Sequence, residues 1–258
     1  LSKLINKNWT REELIVAFNL YCKTPFTKIN ASNKAVKELA PILGRSASSV
    51  ALKLANFARL DPALKGRNIS GMRHGSKGEI EVWGEFYGNW EDLIYQSELL
   101  LSQLKKTSIE KSANINFDEI PKEGIERQTV VKTRVNQSFF RSLILASFDN
   151  KCCVTGLDIP ELLVASHIVP WSIDKANRMS PHNGLCLNAL LDKAFDKGLM
   201  TVTPDYKVKL SAYILKKEVN TNFGRYFLPL DNYLIRLPQR FLPNKELLEF
   251  HNEKIFLG

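Results

Sequence analysis

The sequence predicts an α+β protein: an all-helical N-terminal domain over residues 1–105, a polar linker over 106–128, and a mixed strand and helix domain over 129–258. Three observations lead there. Apolar residues recur at helical spacing from Leu14 to Leu100, with helix-start signals ahead of them. Lys106 to Gln128 is rich in Lys, Ser, Asn, Glu and Pro and holds no sustained period, as a linker does. Beyond it, the β-branched run Leu163-Val164-Ala165-Ser166-His167-Ile168-Val169 and the alternation around Pro204-Asp205 are strand signals.

The first helix opens at Thr10, an N-cap residue with Glu13 three positions on to complete a capping box, and Leu14, Phe18 and Tyr21 form its inward stripe. A second helix is expected from Asn33 to Leu43, stopped by Gly44, with Pro41 making its last turn irregular. The third starts at Ser46 and turns Val50, Leu54 and Phe57 inward. Its opposite side carries Ser48, Ser49, Lys53 and Asn56, flanked by Arg45 and Arg59. Residues 60–77 are rich in Gly, Arg and Lys; His74 among them is assigned no role. Helical spacing returns from Glu79 to Lys105 with a break at Gly88-Asn89.

The net charge of +9 is unevenly placed: residues 1–77 hold 14 Lys/Arg against 4 Asp/Glu, whereas 78–104 hold six acids and no Lys/Arg. A basic block of this kind meets a polyanion, usually nucleic acid, or else is a lysine-rich soluble surface. No apolar run approaches membrane-spanning length and no signal-peptide pattern stands at the start, so a cytoplasmic protein with no membrane partner is expected. Cys22, Cys152, Cys153 and Cys186 form no Cys-x-x-Cys pair; they are expected to be reduced and mostly buried, with no structural zinc site.

In the second domain, Val130 to Phe148 is expected to be a helix with Phe139, Phe140, Leu143, Ile144 and Ala146 as its apolar side. The run 163–169 delivers His167 to a strand end closed by Pro170. A Pro181-His182-Asn183-Gly184 turn follows, Asn-Gly being the pair that best tolerates left-handed backbone angles. Leu185 to Phe195 has helical spacing, which places Asp192 and Asp196 one turn apart on one face. Strand, loop and helix in that order bring an imidazole and two carboxylates toward one point, a grouping suited to metal-assisted hydrolysis. After Gly198, Leu199–Val202 and Tyr206–Leu210 read as a hairpin, strand-like segments continue to about Arg240, and a short helix runs from Pro243 through His251, a structural histidine.

These segments resemble the HNH (ββα-metal) endonucleases, and within them a bacterial restriction-type subfamily with a His-Ile-x-Pro-Trp segment (His167 to Trp171), an Asn-Gly-Leu segment (Asn183 to Leu185) and an Ala-Phe-Asp-x-Gly segment (Ala194 to Gly198). The likeness begins at Val131-Lys132-Thr133-Arg134 and continues through Cys153-Val154-Thr155-Gly156, covering roughly the C-terminal half. It implies His167 as general base, Asn183 as the residue that ties the loop and orients the ring, and Asp192 as the metal ligand carried by the helix. Asp196 is a second ligand, a residue behind the ligands, or a partner of a nearby Lys or Arg. Oxygen ligands favour Mg2+ or Mn2+ over zinc. Two positions depart from the wider family: Ser166 stands where a metal-binding Asp or His is common, and Leu191 stands where a His often precedes the helix Asp. His182 is a secondary candidate near the ion or phosphate. Arg134, Gln137 and Arg141 match the subfamily pattern and either hold phosphates or pair with acids in the domain.

The Trp9-Thr10-x-x-Glu13 opening and Gly44-Arg45-Ser46-x-x-Ser49-Val50 resemble a Myb-type or related helix-turn-helix module. The resemblance implies a third helix in a major groove, with Arg45, Lys53, Asn56 and Arg59 at bases or phosphates. Together these readings describe a metal-dependent endonuclease for double-stranded DNA, of restriction type, with modified DNA one candidate substrate. Cutting both strands calls for a homodimer. The alternative is a DNA-binding protein whose HNH fold is weakened or inactive.

Overall fold

The computed structural model describes residues 7–65, 75–113, 125–217 and 220–258. His74 and positions 114–124 of the expected linker lie outside them. The chain divides into two compact units, Leu1–Leu143 and Ile144–Gly258.

The first unit is helical. Helix α1 (Arg11–Lys23) starts in a capping box: the Thr10 hydroxyl accepts from the Glu13 N–H, and the Glu13 carboxylate accepts from the Thr10 N–H at 2.8 Å. Helix α2 (Lys34–Ile42) is capped by Asn33 and ends before Gly44, whose φ of +62° is the left-handed conformation that stops a helix. Helix α3 (Ala47–Ala58) is capped by Ser46, and α4 (Pro62–Lys65) is a single turn. Gly88, at φ +93°, separates α5 (Lys77–Phe86) from α6 (Trp90–Leu104), as the sequence predicts. A further turn, α7 (Ile109–Ser112), lies in the expected linker. Helix α8 (Ile125–Ser147) begins ahead of the expected Val130. Helix α1 is the centre of the unit, packed on α3, α5 and α6, and Phe18 sits among Phe57 and Trp83 at ring distances of 4.9 and 5.2 Å.

One buried acid reorganises the expected recognition face. Glu79, on α5, has no solvent exposure, and its carboxylate takes a charge-assisted hydrogen bond from Lys53 and another from the Asn56 amide at 2.9 Å, with Arg59 3.8 Å away. Arg45 grips Glu13 at 2.7 Å, donates to the Lys7 and Asn8 carbonyls, and lies over the Trp9 ring. Lys53 and Asn56 therefore point into the unit, which corrects the expectation of a polar face open to DNA. Arg45 and Arg59 are held in the same network. A carboxylate inside a protein needs cations and donors around it, and these four residues supply them.

The second unit is built on two hairpins. Strand β1 (Leu163–His167) pairs antiparallel with β2 (Gly184–Asn188), with Leu163 opposite Asn188 and His167 opposite Gly184. Helix α9 (Ala189–Asp196) packs across both strands. Strands β3 (Met200–Val202) and β4 (Val208–Leu210) form the expected hairpin. Leu185–Asn188, expected to be helical, is a strand buried along its whole length. An apolar run covered on both faces lacks alternation, so periodicity does not separate it from a buried helix. Gly184 has an extended φ of −142°, so the expected left-handed Asn-Gly turn is a 3-10 turn over Pro181–Asn183 instead. Between β4 and residue 240, α10 (Ala212–Leu215) and α11 (Asn222–Phe227) replace most of the expected strands. Helix α12 (Lys245–Lys254) closes the unit.

All four cysteines are buried, and none forms a disulfide among the described residues. No helix among the described residues is long and apolar enough to cross a membrane.

Two stability outcomes follow from this packing. Glu79→Ala leaves the Lys53 ammonium buried without its partner and lowers unfolding free energy by about 3–5 kcal/mol; a loss under about 1 kcal/mol in urea titrations contradicts the network. His251 is buried, 2.8 Å from Thr201 Oγ1 and stacked on Phe195, and burial pushes its pKa down to about 4. The unfolded chain takes up a proton near pH 6.5 that the native fold refuses, so stability is full above pH 6.5 and declines as pH falls toward about 4. The His251 share of that decline is about 3 kcal/mol. In His251→Gln, the difference in stability between pH 7 and pH 4 shrinks by that amount, read from unfolding curves at both pH values.

Candidate active site

His167 closes β1, and the side chain of Asn183 fixes the backbone just beyond it. Asn183 Oδ1 accepts from the Val169 N–H at 2.8 Å, and its Nδ2 donates to the Val169 carbonyl at 3.1 Å and to the Asn177 carbonyl at 3.4 Å. The Asn183 carbonyl in turn accepts from the Ile168 N–H at 3.1 Å. Asn183 is fully buried, so these bonds are shielded from water and the strand end cannot fray without exposing unpaired groups.

Contacts to a backbone carbonyl and to an aromatic ring orient the His167 imidazole. Its Nε2–H donates to the Arg178 carbonyl at 2.9 Å, and Trp171 meets it edge-on at 5.6 Å. A carbonyl only accepts, so Nε2 carries the proton and Nδ1 is the basic nitrogen of the neutral ring. Burial pulls the His167 pKa below its ordinary 6.5, while the Arg178 carbonyl and the Asp196 charge pull it back part of the way. The imidazole is thus neutral at neutral pH, the state a proton acceptor requires.

The carboxylates come from α9. Asn188 sets the start of that helix by accepting from the Leu190 and Leu191 N–H groups at 3.1 and 3.0 Å. One turn in, Asp192 is half-buried; Asp196 follows a turn later, exposed. Burial raises the Asp192 pKa above 3.8, the Ser166 hydroxyl opposes the shift, Asp196 adds to it by like-charge repulsion, and Lys193 counters. Ser166 Oγ is buried and makes no hydrogen bond of good geometry, although it lies near enough to Asp192 to favour the charged carboxylate. His167, Asp192 and Asp196 therefore share one electrostatic neighbourhood, with Ser166 on its β1 side. Leu191 faces the core, away from this group.

Two carboxylates a turn apart and the buried Ser166 hydroxyl near Asp192 form an all-oxygen donor set, and the repulsion between the carboxylates is what a hard divalent cation relieves. Among the described residues no three His, Cys, Asp or Glu side chains gather as a metal cage. The set fits an ion such as Mg2+ held by one or two carboxylates, with water and substrate completing the shell.

His182 Nδ1 donates to the Leu242 carbonyl at 2.7 Å, and the ring meets Phe241 edge-on, so it braces the 241–244 segment. Arg134, Gln137 and Arg141 share one face of α8, opposite buried Val135, Phe139 and Leu143. Sequence reasoning missed the Arg178 carbonyl, a backbone atom with no side-chain signature, and Asn188, whose N-cap signal was legible once the helix start was known.

A hairpin carrying an imidazole at a strand end, followed directly by a helix carrying a carboxylate, is a ββα unit. Residues 152–203, which span β1, β2, α9 and β3, match the family model of HNH endonucleases. Among curated proteins no match was found.

Because Asp196 raises the His167 pKa, Asp196→Asn lowers it further. Titration of the imidazole by NMR checks this; a His167 pKa that rises or stays put shows that the two side chains do not share a field.

Proposed function

We propose that the protein is a metal-dependent DNA endonuclease that hydrolyses phosphodiester bonds, of restriction type and acting on double-stranded DNA. The observation that carries the reading is the neutral imidazole of His167 in the field of Asp196, one helix turn from the half-buried Asp192 carboxylate that the Ser166 hydroxyl approaches, in a segment matching HNH endonucleases. In this reading His167 Nδ1 accepts a proton from the attacking water as the water oxygen bonds to phosphorus and the bond to the leaving oxygen breaks. Asn183 holds the strand end and loop, and the Arg178 carbonyl holds the tautomer. A bound divalent ion, Mg2+ or Mn2+, supplies charge stabilisation at the phosphoryl and leaving oxygens. Asp192 and Asp196 are the residues that hold it. Arg134, Gln137 and Arg141 are proposed for phosphate contact, and a homodimer on a symmetric target accounts for cutting both strands. The helix-turn-helix likeness of α1–α3 makes the first unit the proposed DNA-finding part, although Lys53 and Asn56 are not its contact residues.

A second reading, a DNA-binding protein with a weakened HNH fold, is favoured by the lean donor set: no third acid, His or Cys joins Asp192 and Asp196 among the described residues. Calorimetric titration of Mn2+ with DNA present separates the two, since the weakened fold gives no heat that Asp192→Ala removes.

His167→Ala is expected to reduce plasmid cleavage in Mg2+ or Mn2+ by at least about 100-fold while leaving DNA binding intact, the range removed with a general base. Unchanged cleavage by this variant rejects His167 as the base. For the parent protein, kcat/KM is expected to decline on the acid side with a midpoint below pH 6.5, because burial lowers the His167 pKa. A midpoint above that value contradicts the assignment.

A further inference from the structure

At the start of α9, the second unit holds a cavity of about 490 Å3. Leu157, Leu162 and Leu190 make its walls, and Thr155, Asn188 and Tyr226 its polar corner. No charged side chain lines it. A phosphate or other charged group would lose its hydration there with no counter-charge in return, so the ligand is an uncharged group.

The polar corner defines that group more closely. Asn188 Nδ2 donates to Tyr226 Oη at 3.0 Å and to Thr155 Oγ1 at 3.3 Å. Asn188 Oδ1 is committed to the first turn of α9, so the amide cannot flip, and both hydroxyls are acceptors toward it. Each hydroxyl keeps its own hydrogen, and among the described residues neither donates it to a protein acceptor. Burial raises the Tyr226 pKa, which keeps that O–H in place as a donor. The cavity thus presents two O–H donors between leucine walls. A purely aliphatic guest would strand both donors away from water, whereas a flat ring with acceptors on its edge satisfies both sides.

We propose that this cavity receives a nucleobase, and, resting on the endonuclease reading, that the base belongs to the DNA strand held at Asp192. Position on the helix sets the distance. Leu190 and Asp192 leave nearly opposite sides of α9, a helix about 10–12 Å across with its side chains. That span is about three nucleotide steps at about 3.4 Å each. A base about three steps from the cleaved phosphate is therefore read by Tyr226 and Thr155. Leu162 and Leu190, 48% and 53% exposed, form the mouth.

The test uses the full chain. Duplexes carrying the fluorescent base 2-aminopurine at successive positions around the cut are bound, and the free 2-aminopurine deoxyriboside is titrated alongside. Leu190→Arg and Leu162→Arg block the mouth at exposed positions, and Tyr226→Phe removes one donor. Expected is an emission rise at one position, lost in both blocked variants, with nucleoside binding weakened about fivefold in Tyr226→Phe, the effect of one neutral hydrogen bond. DNA cleavage with no emission rise at any position, or a rise that persists in both blocked variants, overturns the pocket and leaves the nuclease reading standing. Nucleoside binding that Leu190→Arg abolishes, in a protein that neither binds nor cuts DNA, supports the base pocket and fails the nuclease reading. Absence of both DNA and nucleoside binding overturns the proposal.

Discussion

The geometry of the candidate site depends on one buried carboxamide. Asn183 joins the segment after β1 to the turn before β2 through bonds to both backbone groups of Val169, and its own carbonyl continues the pairing at Ile168. Without that clamp the first residues beyond His167 would have no ladder partner, because β2 begins only at Gly184, opposite His167 itself. The imidazole would then hang from a strand end free to twist. With the clamp, the loop returns so that the Arg178 carbonyl meets Nε2, and one side chain fixes both the position and the tautomer of the ring. An Asp of similar size would lack the Nδ2–H groups for two carbonyls and would place a charge in a dry site.

A different balance governs the first unit. The basic block and the acidic block of the sequence answer one another: Arg11 meets Glu85, Lys23 meets Glu98, Lys53 and Arg59 meet Glu79, and Lys77 meets Glu81. Much of the local positive excess that suggested a polyanion partner is thus engaged inside the unit. The exposed pairs contribute little to stability, whereas the buried Glu79 cluster is costly to break from either side. Charge asymmetry along a chain reports a binding face only after pairing between its halves is subtracted.

What the sequence made legible follows from how local each signal is. The α1 capping box, the Asn33 and Ser46 caps, the stops at Gly44 and Gly88, and the β3–β4 hairpin are set by neighbours a few residues apart, and all stand where they were expected. The boundary between β2 and α9 was not legible, because Leu185, Cys186 and Leu187 are covered on both sides and carry no polar beat. The inward turn of Lys53 and Asn56 was hidden for another reason: the acid they serve, Glu79, lies on a different helix and far along the chain. The placement of His167 in one electrostatic neighbourhood with Asp192 and Asp196 follows from β1–β2 register and the packing of α9, which no spacing rule alone specifies.

Ser166 and Leu191, the two departures from the wider family pattern, are accounted for differently. Leu191 is core: it lies on the inner side of α9, and a histidine there would have to be buried among apolar neighbours or turn the helix. Its loss removes nothing from the side of α9 that holds Asp192. Ser166 does sit on that side, buried and without a well-formed hydrogen bond, where a carboxylate would have added a third negative charge to two that already repel. On the proposed reading, replacing that charge with a hydroxyl leaves a cation bound more weakly by the protein alone and more dependent on the substrate phosphate. Ion and DNA would then each raise the affinity for the other, by the same factor, since linkage is reciprocal. On that same reading, a lean donor set would tie occupancy of the ion site to the presence of the strand to be cut.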